Sequence, residues 1–272
     1  MEDGPVTVRL SGGTLPLGDV THVMAVINLS PESMNTHTVA GSTEEARLMA
    51  DRYRSWGATI IDLGGQSSHY ENPTIADEIE IDRLAPTVGK LVADGHIVSV
   101  DTWKPAVARA AVEAGASIVN DTGGLADPVM RSVVAGSGAA AVLVHVEAAN
   151  PHAVDVVAID DDKSRLVAAG FESRLAELEV DGIRDVIVDP GIAINYRGDY
   201  ESYTRQQLEV IMSSSELRRL GRPVLIPIPR KRDIHRVAAY IALALEHRAD
   251  IIRVHDVAIA CDLARLFQRL PG

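Results

Sequence analysis

Cysteine is almost absent from this sequence, because Cys261 is the only one among 272 residues. A single cysteine cannot form a disulfide within the chain or supply a multi-cysteine zinc site, so both frameworks are excluded. The lack of disulfides fits a reducing compartment. Aromatic residues are also scarce, at 4%. The core must therefore consist mostly of Val, Ile, Leu and Ala, which suits parallel β/α folds whose strands are buried on both faces.

The sequence also lacks an excess of positive charge and lacks long apolar runs. Its formal net charge is −12. An acidic surface repels nucleic acid phosphates and anionic membranes, so we expect neither as a partner. No run approaches the roughly 20 apolar residues of a membrane-spanning helix. The acidic residues 1–5 contain no apolar core, so we expect no signal peptide and predict a cytoplasmic protein.

Short apolar runs alternate regularly with longer segments of helical character. Eight runs predict buried strands, at 23–28, 59–62, 97–101, 117–120, 140–145, 185–189, 223–226 and 250–254. Eight segments predict helices, at 43–56, 75–94, 105–114, 128–135, 163–180, 204–220, 233–247 and 258–270.

Strict alternation implies parallel strands joined by right-handed crossovers. We therefore predict an α/β fold, a single (β/α)8 TIM barrel that forms one domain over residues 1–272, with a short N-terminal hairpin at 6–19. An open, doubly wound sheet is the alternative. No glycine-rich dinucleotide motif follows the first strand, which weakens that alternative.

Polar side chains close nearly every predicted strand. They are Asn28, Asp62, Asp101, Asn120, His145, Asp189, the Arg230-Lys231 pair, Arg253 and His255. Any one of them could simply form a turn or cap a helix. In a TIM barrel, however, the C-terminal ends of the strands converge on the active site, so the whole set predicts a polar barrel mouth.

The residue types in this set suit a flat heterocycle. Asp101, Asn120 and Asp189 could bind an amidine-like donor edge, such as that of a pterin or guanine, because a buried carboxylate accepts two parallel N–H bonds. Lys231 could bond a ring carbonyl or ring nitrogen. Arg253 could lie flat over the ring, and His255 could bind a phosphate.

Seven segments in order along nearly the whole chain resemble the dihydropteroate synthase family. They are Asn28-Leu29-Ser30-Pro31-Glu32-Ser33, Asp62-Leu63-Gly64-Gly65-Gln66-Ser67, Ser99-Val100-Asp101-Thr102, Val119-Asn120-Asp121, Asp189-Pro190-Gly191-Ile192, Arg230-Lys231 and Arg253-Val254-His255-Asp256-Val257. The resemblance implies a barrel that binds a pterin in its mouth. It also implies an Mg2+-dependent transferase of folate biosynthesis, in which p-aminobenzoate displaces diphosphate from 6-hydroxymethyl-7,8-dihydropterin diphosphate.

The resemblance also implies residue roles and a homodimer. The implied catalytic residues are Asp101, Lys231, Arg253 and His255; the implied pterin-binding residues are Asp101, Asn120, Asp189, Lys231 and Arg253. The implied diphosphate contacts are Asn28, His69, Arg253 and His255, with Asn28 also contacting the metal. Asp62 and His145 match further residues of the barrel mouth.

The acceptor pocket and the loops depart from the family pattern. Glu32 and Met34 replace the usual Asp and Phe, Ser68-His69 replaces Thr-Arg, Ile194 replaces an aromatic residue, and Pro229 replaces a serine. From Ile194 and Pro229 we expect weak or absent use of p-aminobenzoate. Two alternatives stay open, a pterin- or folate-dependent one-carbon transferase with another acceptor, and a non-catalytic pterin-binding protein.

Several further histidines fall outside the matching motifs. We interpret His22, His37, His96, His152 and His235 as surface or capping residues of loops and helix starts.

Overall fold

Parallel strands form the centre of the fold in a computed structural model that describes residues 7–158, 162–198, 203–231 and 233–271. The strands are β1 (Thr7–Leu10), β2 (Gly13–Pro16), β3 (His22–Asn28), β4 (Ile60–Gly64), β5 (Ile97–Asp101), β6 (Ile118–Asp121), β7 (Ala140–Val144), β8 (Val186–Asp189), β9 (Leu225–Pro227) and β10 (Ile251–Val254). The helices are α1 (Thr43–Trp56), α2 (Asp77–Ala93), α3 (Pro105–Glu113), α4 (Pro128–Ser137), α5 (Lys163–Val180), α6 (Thr204–Met212), α7 (Ser215–Arg218), α8 (Ile234–Glu246) and α9 (Val257–Leu266).

The eight strands β3 to β10 form one parallel sheet that curls into a nearly closed barrel. Their order is β8-β7-β6-β5-β4-β3-β10-β9. The last gap is bridged where Val188 pairs with Val224, and the Val188 N–H donates to the carbonyl of Pro223 over 2.9 Å. The predicted (β/α)8 barrel is therefore confirmed.

The barrel has two apolar layers, one outside the strands and one inside. The outer layer packs the strands against the helices. The inner layer includes Met24, Ile60 and Val142, and Val8 and Leu15 of the hairpin join it from below. The hairpin thus closes the N-terminal end of the barrel, although residue 6, where we predicted that it begins, lies outside the described residues.

The predicted boundaries of α1 are confirmed, because the sequence supplies a cap at each end. Helix α1 begins after Ser42, whose hydroxyl accepts from the Glu45 N–H over 3.2 Å, and ends at Gly57, whose φ is 113°.

The single helix predicted at 204–220 is wrong, because it divides into α6 and α7 at Ser213 and Ser214. Serine side chains compete for backbone partners, and Ser214 Oγ lies 3.2 Å from the carbonyl of His247. In the described part of the chain, no helix is long and apolar enough to cross a membrane.

Candidate functional site

The polar residues of the barrel mouth stand in one layer above the inner apolar layer. Side chains alternate in direction along a strand, so a residue two positions after an inward apolar residue also points inward. Ile60 and Asp62, Ile118 and Asn120, Ile187 and Asp189, and Ile251 and Arg253 follow this spacing. The spacing of two therefore brings the predicted strand-end residues to one floor.

An arginine held between two carboxylates forms the centre of this floor. Arg253 Nε lies 2.7 Å from Asp62 Oδ2, and Arg253 Nη2 lies 2.7 Å from Asp101 Oδ2. Asp62 is fully buried, and the Asp101 side chain is only 13% exposed. The guanidinium spans the barrel interior and supplies the charge that these carboxylates need.

Two acceptor oxygens of the floor have no hydrogen-bond partner within the described residues. Asn120 Nδ2 donates to Asp62 Oδ2 over 3.3 Å, which leaves Asn120 Oδ1 and Asp62 Oδ1 buried and unpaired. Buried acceptors without partners are costly. A ligand that presents N–H donors to the floor would satisfy them.

Burial changes the acidity of the floor. It raises the pKa of Asp189 to about 7, although the Gly191 N–H opposes this shift by donating to Asp189 Oδ1 over 2.7 Å. Burial also raises the pKa of Asp101, against the attraction of Arg253. Asp101 and Asp189 can therefore each occur in an ionised, accepting form and a protonated, donating form near neutral pH.

The rim of the mouth carries Asn28 and His255. Both contact Thr38: Asn28 Nδ2 lies 2.8 Å and His255 Nδ1 3.2 Å from Thr38 Oγ1. Burial, and then the charge of Arg253, lower the pKa of His255 to about 3. His255 is therefore neutral at physiological pH.

The loop of residues 65–76, here called the second loop because it follows the second strand of the barrel, covers the mouth from the side of β4. Ser68 and His69 line the cavity here, and the His69 ring stacks on Tyr70 with 4.7 Å between ring centroids. The guanidinium carbon of Arg197 lies 4.4 Å from the centroid of the Tyr70 ring, a cation–π contact that joins this loop to the loop after β8. The remaining cavity is small, about 90 Å3.

Lys231 departs from its predicted place at the mouth. Its Nζ lies 2.9 Å from Gln207 Oε1 and 3.2 Å from Thr204 Oγ1, and 5.0 Å from the centroid of the Tyr240 ring. These partners lie on α6 and α8, and Lys231 is not among the described residues that line the mouth cavity. Its neighbour Arg230 lines the mouth instead.

The four residues predicted for the acceptor pocket do not come together. Ser68 lines the mouth, whereas Glu32 turns outward to pair with Arg83 at 3.3 Å. Ile194 packs against the inner core and lines a separate small cavity. Pro229 lines a cavity of about 420 Å3 beside the mouth. The irregular loops that carry these residues follow no period that would align them.

His145 lies beside the mouth rather than in it. Its Nε2 is 3.6 Å from Glu147 Oε1, and its ring meets Phe171 edge to face. Two of the histidines interpreted as surface groups are buried, His22 and His96. His22 begins β3 and contacts Thr59 and Pro16 below the barrel, which the sequence pattern did not indicate.

Four residues near the mouth escaped the sequence analysis. Asn35 and Thr38 hold the rim, and Gln66 and Lys104 hold the second loop, with Lys104 Nζ 2.8 Å from Gln66 Oε1. They occupy irregular segments without a helical or strand period. Only the position of Gln66 inside a matching motif could have indicated it.

The residues of the mouth could bind a magnesium ion only if a ligand supplied further oxygen atoms to it. Across the described ranges, no group of three or more His, Cys, Asp or Glu side chains could hold a metal. Asn28 donates its amide N–H to Thr38, which leaves its Oδ1 free of that contact. Mg2+ commonly takes one or two protein oxygens and completes its shell with water and phosphate oxygens.

The fold and the site define an α/β-barrel enzyme with its ligand site at the C-terminal ends of the strands. A family model described as pterin-binding enzyme matches residues 24–260. The dihydropteroate synthase of Bacillus subtilis is 30% identical, over 98% of this chain and 95% of the relative. This chain belongs to the pterin-binding enzyme family, and the resemblance to dihydropteroate synthases is confirmed.

Two further relatives support this assignment. A structure of dihydropteroate synthase from Thermus thermophilus in complex with 4-aminobenzoate has a TM-score of 0.81 and 28% identity, covering 98% of this chain and all of that one. A probable bifunctional folylpolyglutamate synthase/dihydropteroate synthase of Haloferax volcanii is 33% identical over 89% of this chain. This chain spans only 30% of the length of that bifunctional relative.

Proposed function

We propose that this protein transfers the methylene group of 6-hydroxymethyl-7,8-dihydropterin diphosphate to an amine, with p-aminobenzoate as the default acceptor, and releases diphosphate in folate biosynthesis. The single observation that carries the proposal is the acceptor-rich floor, in which Asp62 Oδ1 and Asn120 Oδ1 are buried without partners in the described chain. The family model and the named relatives support the same activity.

The pterin would lie on the floor of the barrel. Its amino and ring N–H groups would donate to Asp189, Asn120 and Asp101, and its ring would lie against Arg253. Because Arg253 now spans the floor between Asp62 and Asp101, ligand entry would require the guanidinium to move. The N–H groups of the ligand would then donate to the carboxylate oxygens of Asp62 and Asp101 that Arg253 no longer contacts.

The reaction would need positioning and charge stabilisation more than acid–base catalysis. The C–O bond to diphosphate breaks and its electron pair leaves with the diphosphate, which leaves a cationic methylene on the pterin. The buried carboxylates of the floor stabilise that cation. The amine nitrogen then forms the C–N bond and loses one proton to solvent or diphosphate.

The diphosphate would lie at the rim. Asn28, His69, Arg230 and His255 line that part of the cavity. Mg2+, where bound, would neutralise phosphate charge in the leaving group, and Asn28 Oδ1 is the protein oxygen that would hold it. Lys231 would act on the ligand only after its ammonium leaves Gln207.

The cavity of about 420 Å3 that Pro229 lines gives the acceptor a separate place. The mouth and this cavity share a wall that includes Asn35, Arg230 and His255. An acceptor that enters here would approach the methylene beside the leaving diphosphate. Of the residues that depart from the family pattern, Met34 lies in this shared wall and Pro229 lines the larger cavity only. Both positions support an altered acceptor preference.

An assay with purified protein, pterin diphosphate, Mg2+ and a panel of amines tests the function. We expect amine-dependent release of diphosphate, slower with p-aminobenzoate than for an amine that fits the altered pocket. Rapid formation of dihydropteroate would refute only the altered acceptor preference. Absence of release with every amine, together with calorimetric binding of a reduced pterin, would favour the non-catalytic alternative.

The one-carbon transferase alternative makes a different prediction. It requires binding of a methylated folate and no release of diphosphate, and the altered loops are the observation that favours it. A homodimer and a cytoplasmic location remain predictions. Sedimentation analysis of the purified protein tests the first, and fractionation of cells tests the second.

A further inference from the structure

A buried hydroxyl lies at the centre of the loop that follows β3. Thr38 belongs to a short 3-10 turn, Thr36–Thr38, and its side chain is fully buried. The loop leaves β3 at Asn28 and returns beside it, since the Ala40 N–H donates to the carbonyl of Asn28 over 2.9 Å. The hydroxyl of Thr38 is therefore fixed next to the rim of the mouth.

Three polar groups contact Thr38 Oγ1, and their chemistry determines which atom donates in each of the three hydrogen bonds. The carbonyl of Asn35, at 2.9 Å, can only accept, so the hydroxyl donates to it. Asn28 Nδ2 at 2.8 Å and His255 Nδ1 at 3.2 Å must then both donate to the hydroxyl oxygen. A hydroxyl gives one hydrogen bond and accepts two, so its capacity is filled.

This arrangement assigns the tautomer of His255. Its Nδ1 carries the proton, so its Nε2 has a lone pair, and Asn35 Nδ2 lies 3.0 Å from that nitrogen. Two independent contacts thus agree on the same tautomer. The same contacts turn the amide of Asn28 so that its Oδ1 points away from Thr38, toward Gly64 at the end of β4.

We propose that Thr38 is a positioning residue that holds His255 in the Nδ1-protonated tautomer and turns Asn28 so that both residues present acceptors to the ligand. Asn28 and His255 both line the mouth side of the rim. Two acceptors repel a bare phosphate oxygen. They suit a diphosphate that carries a divalent cation, because Asn28 Oδ1 would hold the cation and His255 Nε2 would accept from one of its waters.

The ligand part of this proposal rests on the proposed function, whereas the tautomer part does not. In the free protein, Asn35 occupies His255 Nε2 and the ligand would displace it. The sequence predicts that His255 binds a phosphate, and an unprotonated Nε2 would do so through a donor that lies between them.

Two variants separate the hydroxyl from the volume of the side chain. Thr38→Val removes the hydroxyl at nearly constant shape, and Thr38→Ser keeps the hydroxyl and is the matched control. The first measurement is 15N NMR of the His255 ring in the ligand-free protein, with the signals assigned by His255→Gln. We expect the Nδ1-protonated tautomer in the wild type and in Thr38→Ser, and loss of its dominance in Thr38→Val.

The second measurement is calorimetric binding of pterin diphosphate with Mg2+ and of the bare pterin. We expect Thr38→Val to weaken the diphosphate ligand about tenfold or more and to leave the bare pterin within about twofold, as loss of an outer-shell partner does. Thr38→Ser should restore the affinity. Should Thr38→Val fail to fold, Thr38→Ala removes the same hydroxyl with less volume.

An unchanged Nδ1-protonated tautomer in the folded variant that lacks the hydroxyl would overturn the proposal. Equal weakening of both ligands would overturn its ligand part. Should the wild-type protein bind no pterin diphosphate while the tautomer still depends on Thr38, the proposed function fails and the positioning role stands.

Discussion

Lys104 is a buried cation whose removal should destabilise the protein strongly. Its ammonium lies 2.9 Å from Glu80 Oε2, 2.8 Å from Gln66 Oε1 and 2.6 Å from the carbonyl of Ile75. The side chain of Glu80 is only 1% exposed and that of Lys104 only 10%. The ammonium thus joins α2 to the loop that covers the barrel mouth.

The variant Lys104→Met keeps the length of the side chain and removes its charge. Glu80 would then be a buried carboxylate without a counter-ion, and Gln66 Oε1 would lose one of its two donors, the other being the Ile75 N–H at 3.1 Å. Breaking a buried ion pair by removing one partner costs about 3–5 kcal/mol. The double variant Lys104→Met/Glu80→Met should recover most of that loss, because it removes the unpaired charge as well.

Urea unfolding of the purified proteins measures these free energies. The matched control is Lys90→Met, because Lys90 also lies 2.9 Å from a carboxylate, Asp94, but at the surface, with side chains 44% and 26% exposed. Exposed pairs of this kind contribute little. A role for Lys104 as a stabilising buried cation is refuted if Lys104→Met loses no more stability than Lys90→Met, or if the double variant is no more stable than the single one.

Three further predictions concern the floor and the rim. His255→Ala should weaken diphosphate-bearing ligands about tenfold and bare pterins much less; calorimetry that finds equal losses would exclude a rim role. Because burial raises the pKa of Asp189 to about 7, its acceptor form appears as pH rises through 7. Pterin affinity should therefore rise by about tenfold in total from pH 6 to 8, because the ionised fraction of Asp189 increases from about one tenth to about nine tenths, and Asp189→Asn should flatten this profile. Gly191 has a φ of 71°, and an added Cβ would lie 1.9 Å from the carbonyl oxygen of His145. Gly191→Ala should therefore lose more than the roughly 1–2 kcal/mol of a left-handed residue, whereas Gly136→Ala on α4, with open space around it, should gain about 1 kcal/mol; chemical unfolding compares the two.

The floor could be predicted from the sequence because strands impose a period of two. Each polar residue of the floor lies at or near the end of an apolar run, as Asp101, Asn120, Asp189 and Arg253 do. The C-terminal ends of parallel strands meet at one mouth. The inward direction of Asn120, Asp189 and Arg253 follows from the inward apolar residue two positions earlier. Local sequence patterns were therefore enough to predict the positions of the floor residues. The number of alternating runs, eight, was enough to predict the barrel.

The loop residues that support the rim, and the acceptor pocket, could not be predicted, because irregular segments have no period. Lys231 follows the Pro227-Ile228-Pro229 segment, and its partner Gln207 lies on α6, which is distant in sequence. Nothing in the local sequence indicates that the ammonium of Lys231 contacts Gln207. The same is true of Thr38, whose importance appears only when His255 reaches it from 217 positions further along the chain.

The distribution of charge along the barrel axis favours heterolytic cleavage of a bond, with the positive fragment over the floor and the negative fragment at the rim. The floor holds Asp62, Asp101 and Asp189 against the guanidinium of Arg253, and this excess of buried carboxylates favours a positive group above it. Arg230 lies at the rim, where it favours a negative group. A pterin diphosphate placed with its ring on the floor would develop positive charge on the methylene above the carboxylates and negative charge on the leaving group beside Arg230. Both ends of the breaking C–O bond would then be stabilised by charges that the fold holds in place before the reaction begins.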